Sequence, residues 1–340
     1  MKTNHSWITL CILLMIVALT ACGGNVANTT ASINAPTLAT SPTPTTAPTP
    51  ISTPVKTSIP KFVPGEVPTP IRVLKDTDAS IFVDKKQTIT GDNFIHNQYE
   101  RPFTSKEMLY QADIDILTAS SASDSDFFYF TLVMQGLDPT THTLTGIYGI
   151  EFDRSKTGRG DMLVTVHDLK DNWSTENVKV YSDQNKDMGG INPIIANPGF
   201  KGDGYESEVK MEGKKVAFAR ILPGDAKVVQ IAVSIKLLED ETKFLWGAWA
   251  DKGVNDPQKF AYNDYFKQVE AGSPIKTSAD YPLKALYSLD NTCRLPFGFC
   301  PQGIIPGMCI SAPPAASPGE ACGCVRLDVL SCQCFLWACK

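Results

Sequence analysis

Histidine is scarce in this chain, four residues in 340, and the scarcity limits the chemistry on offer. His96, His142 and His167 stand outside the N-terminal segment, none in a HExxH or other paired spacing. A Gly-x-Ser-x-Gly elbow and a P-loop are missing as well. Acidic residues fall mostly in turn-like clusters, with no pair that stands out as a glycosidase acid and base. The expectation is a protein without catalytic residues, with a polysaccharide-active enzyme as the least favoured reading. Basic charge is not in excess: 31 Lys and Arg against 36 Asp and Glu give −5, which argues against nucleic acid as a partner. No apolar run reaches the ~20 residues of a membrane span. With 43% hydrophobic and 20% charged residues the chain is a foldable one, neither multi-span nor wholly disordered.

The longest apolar run, Trp7 to Leu19, follows Lys2 and has the length of a secretory h-region. Residues 1–21 are therefore read as a signal peptide. It ends Leu19-Thr20-Ala21-Cys22-Gly23, which resembles the lipobox of bacterial lipoproteins. The resemblance implies cleavage before Cys22, a diacylglycerol on its thiol and an acylated first residue, and two or three acyl chains anchor stably. The expected location is the bacterial cell membrane, with the protein facing the extracellular side. Residues 22–70 are read as a linker, because Asn25 to Pro70 holds ten prolines and eleven threonines and little that can form a core. Polyproline II conformers at ~3.1 Å per residue would carry the next domain up to roughly 100 Å from the bilayer.

From 71 to 290 the pattern becomes alternation, the signature of strands. Phe128, Phe130, Leu132 and Met134 share one face; Tyr148, Ile150 and Phe152 a second; Met162, Val164 and Val166 a third. Further strands are expected at Val178 to Tyr181, Tyr205 to Met211, Val216 to Ile221, Val228 to Ile235 and Phe244 to Ala250, with a short helix around Tyr262 to Val269. Strands every 10 to 20 residues without long helices predict an all-β fold, an antiparallel sandwich of jelly-roll type, though alternation alone does not distinguish it from a barrel.

Asp113-Ile114-Asp115-Ile116, Asp126 before an aromatic strand, Tyr148 to Asp153 and Gly158-Arg159-Gly160-Asp161 together resemble the type 9 carbohydrate-binding and DOMON-like sandwich modules over roughly 75 to 250. Tyr99-Glu100-Arg101-Pro102-Phe103-Thr104, Gly202 to Glu206, Trp246 to Asp251, Tyr262-Asn263-Asp264 and Asp290-Asn291-Thr292-Cys293-Arg294 look like a family of uncharacterised bacterial surface lipoproteins that pair such a sandwich with a cysteine-rich tail. That likeness implies a fold and brings no activity.

Two loops carry oxygen ligands at metal-like spacing. Asp183, Asn185 and Asp187 alternate in a turn, as calcium loops require, but Met188 and Ile194 stand where an EF-hand needs Gly and Glu. Asp153, Ser155 and Asp161 offer a second set, with Arg154, Lys156 and Arg159 adding opposing charge. Turn formation alone also explains Asp, Asn, Ser and Gly there. For sugar stacking the candidates are Trp173, Trp246, Trp249 and Tyr148. Trp246 and Trp249 have opposite parity, so at least one is expected in the core, while Trp173 in a turn is expected near the surface.

The tail, 291–340, holds Cys293, Cys300, Cys309, Cys322, Cys324, Cys332, Cys334 and Cys339 among many Pro and Gly. Eight cysteines in an exported chain predict a disulfide-stapled segment with 105 possible pairings, and the two Cys-x-Cys pairs leave a zinc site as the competing reading. The expected function is extracellular binding, with carbohydrate the first ligand class and calcium a possible stabiliser. The alternative is a structural or protein-interaction role in the cell envelope through the tail.

Overall fold

The computed structural model describes residues 62–85, 91–93, 97–186, 188, 204–258, 266–301 and 303–309, together with the backbone of 322–328 and 333–339. Two antiparallel sheets form the body. The first runs β1(Arg72–Lys75), β3(Ile116–Ser123), β4(Phe127–Met134), β10(Asp225–Ser234), β9(Ala217–Leu222). The second runs β2(Glu100–Arg101), β12(Leu289–Asn291), β11(Phe244–Asp251), β5(Ile147–Asp153), β6(Met162–Val166), β7(Val178–Ser182), β8(Ser207–Glu208), and β13(Leu295–Phe297) also pairs with β11.

Alternation builds the core between the sheets. Phe128, Phe130, Leu132 and Met134 on β4 and Val229, Ile231 and Val233 on β10 meet Tyr148, Ile150 and Phe152 on β5 and Phe244, Trp246 and Ala248 on β11. Phe130 packs edge-on to Phe152 at 5.4 Å between ring centroids and tilted against Trp246 at 4.9 Å. Packing of this kind between two inner faces is what holds an aligned sandwich together.

Several expectations shift at the margins. The Tyr205 to Met211 stretch forms only the two-residue β8. A four-residue helix, Gln268–Ala271, lies at the end of the expected 262–269 helix, whose residues 262–265 fall outside the described residues. The linker reading does not hold to residue 70. Phe62 stacks on Phe127 at 4.8 Å, Val67 packs on the same outer face of the first sheet, and Gly65 donates its N–H to the Tyr129 hydroxyl. Two apolar side chains in a Thr/Pro stretch suffice to dock it, because Phe127, Tyr129 and Phe218 already make that face apolar.

Cys293 and Cys309 form a disulfide, and Cys300 is also disulfide-bonded. Strands β14(Cys322–Asp328) and β15(Gln333–Cys339) make a separate two-stranded sheet with Cys322 opposite Cys339 in register. The signal segment, Cys22 and Cys332 lie outside the described residues, as do the side chains of Cys322, Cys324, Cys334 and Cys339. Among the described residues no helix is long and apolar enough to cross a membrane.

Candidate functional site

The two expected metal loops meet: the Asp183 N–H donates to the Asp161 carbonyl at 3.1 Å, and both loops line one cleft with Arg154, Lys186, Glu239 and Glu241. Their carboxylates are already engaged. Asp153 accepts from Ser155 Oγ and the N–H groups of Thr157 and Gly158, the last at 2.7 Å. Asp161 accepts from the backbone of Arg154 and Ser155 and from Arg154 Nε. Asp183 accepts from the N–H of Lys186 and Met188. Asn185 is exposed, and Asp187 lies outside the described residues. The geometry accounts for Asp153, Asp161, Ser155 and Asp183 as turn formers whose oxygens cap backbone N–H groups, which is the alternative their spacing left open.

The four candidate aromatics are not brought together. Trp246 and Tyr148 are core residues at 1% and 0% exposure, a correction to their reading as sugar platforms. Strand parity explains it: both stand on the inner face, and the Tyr148 hydroxyl donates to the Asp113 carbonyl. Trp173 lies on the outer face of the first sheet, where the Arg220 guanidinium sits 4.3 Å from its ring centroid and its Nε1 donates to the Gly65 carbonyl. The docked 62–70 stretch and Arg220 thus occupy this indole.

Trp249 borders a hollow that Tyr148 also lines, although its indole is largely buried, at 9% exposure, in a cluster with Tyr99, Tyr205 and Leu289. It is on the outer face of the second sheet, and its cross-strand partner on β5 is Gly149, whose own neighbour on β6 is Thr165. With no side chain at Gly149, the row Trp249–Gly149–Thr165 leaves a depression also lined by Ile147, Leu163 and Pro257. A Cβ at position 149 would come within 2.8 Å of the Val164 carbonyl oxygen. At the rim Asp251 accepts from Asn255 Nδ2 and the Val254 N–H, and burial pushes its carboxyl above the ordinary range. The wall of the hollow is almost wholly apolar, with Asp251 and Asn255 bonded to each other at its rim, which suits the apolar face of a small ligand.

A second constellation was invisible to motif reading. Asp76 follows β1, Asp115 precedes β3, Glu100 is in β2 and Asp290 in β12, and Glu100 and Asp290 stand directly opposite each other in register. One carboxylate oxygen from each of Asp76, Glu100 and Asp290 lies within 4.8 Å of the others. Glu100, Asp115 and Asp290 are 1%, 0% and 0% exposed. Each of these four acids keeps one buried oxygen without a hydrogen-bond partner: Asp76 Oδ2, Glu100 Oε1, Asp115 Oδ1 and Asp290 Oδ1. Three of the other oxygens accept hydrogen bonds: Asp290 Oδ2 from the Ile116 N–H at 2.7 Å, Asp76 Oδ1 from Thr77, and Asp115 Oδ2 from Ala79 and the Tyr110 hydroxyl. Arg101 points elsewhere, to Asp92 and to the carbonyls of Ala271 and Leu286. Burial foremost, and the neighbouring carboxylates, push Asp76 and Asp115 up to about 7 and Glu100 and Asp290 well above the usual range.

Comparison with known proteins returns no matching family model, no matching curated protein and no matching solved structure.

Proposed function

We propose that this protein is a lipid-anchored binding module of a bacterial cell surface whose ligand is carbohydrate. The signal segment and Cys22 support the anchoring, the sandwich supplies the scaffold, and the Trp249–Gly149–Thr165 hollow is the observation that carries the ligand class. A pyranose ring presents an apolar C–H face to an indole and hydroxyls to a carboxylate and an amide, here Asp251 and Asn255. Glycan-array binding by the full chain tests it: Trp249→Ala, which should cost about 3–5 kcal/mol because the indole is buried, should abolish binding in protein that still melts cooperatively, and Trp173→Ala should leave binding unchanged. Silence of the wild-type protein across envelope and plant polysaccharides would end this reading.

A second reading is an envelope protein-interaction component acting through the tail, favoured by one observation. The β14–β15 hairpin forms its own two-stranded sheet, laddered to neither sheet of the sandwich among the described residues, which supports a separate role for the tail. Loss of a co-purifying envelope protein on deleting 310–340, with the melting curve of the sandwich unchanged, would favour it.

A further inference from the structure

We propose that Asp76, Glu100 and Asp290, with Asp115 beside them, hold one buried divalent cation of the calcium class, which clamps the two sheets of the sandwich together. These acids come from both sheets: β1 and β3 flank Asp76 and Asp115, while β2 and β12 carry Glu100 and Asp290. A cation here would join edge strands that share no ladder.

The acidic cluster does not carry this alone. Like-charged residues directly opposite in an antiparallel pair repel, yet Glu100 and Asp290 are paired so and buried. A buried carboxylate stays ionised only with a counter-charge or full hydrogen bonding, and otherwise holds a proton. No ion pair to Asp76, Glu100, Asp115 or Asp290 is present among the described residues, and the nearby Arg101 is spent on Asp92. Each of the four instead retains an oxygen that is buried and unpartnered. Unpartnered oxygens on carboxylates from four separate chain segments are what a hard cation gathers. Gly91 adds a second independent sign. Its φ is +95°, and a Cβ there would meet Glu100 Oε2 at 2.7 Å and Thr77 Oγ1 at 2.9 Å. The chain thus passes close over the cluster at a residue with no side chain to intrude, and it brings the Thr77 hydroxyl near as a further oxygen. Calcium fits better than magnesium, since magnesium keeps several waters while calcium accepts an irregular set of protein oxygens. The chemistry is structural: three or four negative charges around a dipositive ion convert a repulsive seam into a bond between sheets.

Metal analysis and melting of the full chain test this, without any glycan present. After dialysis into buffer stripped of other metals and containing calcium at low concentration, the protein should hold about one calcium per chain. Its melting midpoint should be roughly 5–10 °C higher in calcium at a hundredfold excess over Kd than in chelator. The double variant Glu100→Gln with Asp290→Asn should lose both the bound metal and the calcium response. In chelator it should melt at or above the wild type, because the repulsion is gone. A wild-type protein that holds no metal and melts alike in millimolar calcium and in chelator overturns the proposal, as does a double variant that keeps its metal. Should that variant fail to fold, the wild-type metal content and the calcium-against-chelator melts decide by themselves.

Discussion

Asp153 and Asp290 are both fully buried, at 0% exposure, and they differ in how their oxygens are satisfied. Asp153 sits at the end of β5 and spends its oxygens on Ser155, Thr157 and Gly158, all within five residues. Asp290 faces Glu100 across a ladder, accepts one N–H from Ile116 far away in sequence, and leaves one oxygen unpartnered. A carboxylate satisfied by its own turn is a structural part, whereas one buried against other carboxylates either holds a proton or takes a counter-charge from outside the chain. The contrast separates turns from a site more sharply than ligand-like spacing does.

The largest expected effect breaks the satisfied side. Asp153→Ala leaves the buried Gly158 N–H, the part-buried Thr157 N–H and the Ser155 hydroxyl without their acceptor, a loss of about 2–4 kcal/mol for hydrogen bonds to a charged group. Denaturant melts should show the same drop in calcium and in chelator, because the role is local. A drop seen only in calcium would move the metal back to this loop.

Next in size is a sign reversal on the unsatisfied side. Asp290→Asn should remove most of the calcium stabilisation, about 2.7 kcal/mol at a hundredfold excess over Kd, and yet raise stability in chelator. Equal destabilisation under both conditions would make Asp290 another Asp153. Titration sharpens the same contrast. In chelator Asp76 and Asp115 titrate near 7 when folded, above the ordinary 3.8 of an unfolded carboxyl. Between these values the folded chain keeps protons that the unfolded chain sheds. Their contribution is therefore fully present below about pH 4 and lost as pH rises through about 7, on the order of a few kcal/mol. Glu100 and Asp290 extend the loss upward. Calcium should flatten this fall, since it holds the ionised form, and should bind more weakly at acid pH. A chelated protein whose midpoint rises from pH 5 to 8 would contradict the buried repulsion.

The sandwich was legible because β4, β5, β6, β10 and β11 alternate large apolar residues with others, and that period survives any context. Strand β3 was not, since Ile-Leu-Thr-Ala-Ser-Ser-Ala-Ser is mostly small residues and shows no contrast between faces. The two-, three- and four-residue strands β2, β12, β13 and β1 are too short to display a period. Opposite parity correctly separated Trp246 from Trp249, and the hollow itself needed the register that sets Gly149 beside Trp249. The carboxylate cluster shows the limit most clearly. Glu100, Asp115 and Asp290 each stood in segments that carried a family resemblance, but positions 76, 100, 115 and 290 have no spacing rule in common. Only the pairing of β2 with β12 and the approach of β1 bring them together.

The smallest expected effect compares the two outer faces. The first sheet's outer face is covered by the chain itself: Phe62 stacks on Phe127, and Gly65 bridges the Tyr129 hydroxyl and Trp173 Nε1. The second sheet's outer face is covered as well, with Trp249 tilted against Tyr99 in a cluster with Tyr205 and Leu289, but it keeps a hollow beside the indole. Trp173→Ala should cost about 1–2 kcal/mol, from one lost hydrogen bond and a partly buried ring. Its clearer sign should be faster proteolysis near 62–70, because that stretch is held by few contacts. The same substitution should leave both the calcium response and glycan binding unchanged, whereas Trp249→Ala should abolish glycan binding without speeding that cleavage. If the two indole deletions gave the same pattern, the faces would not differ in kind, and the assignment of one to anchoring the linker's end and the other to a ligand would fail.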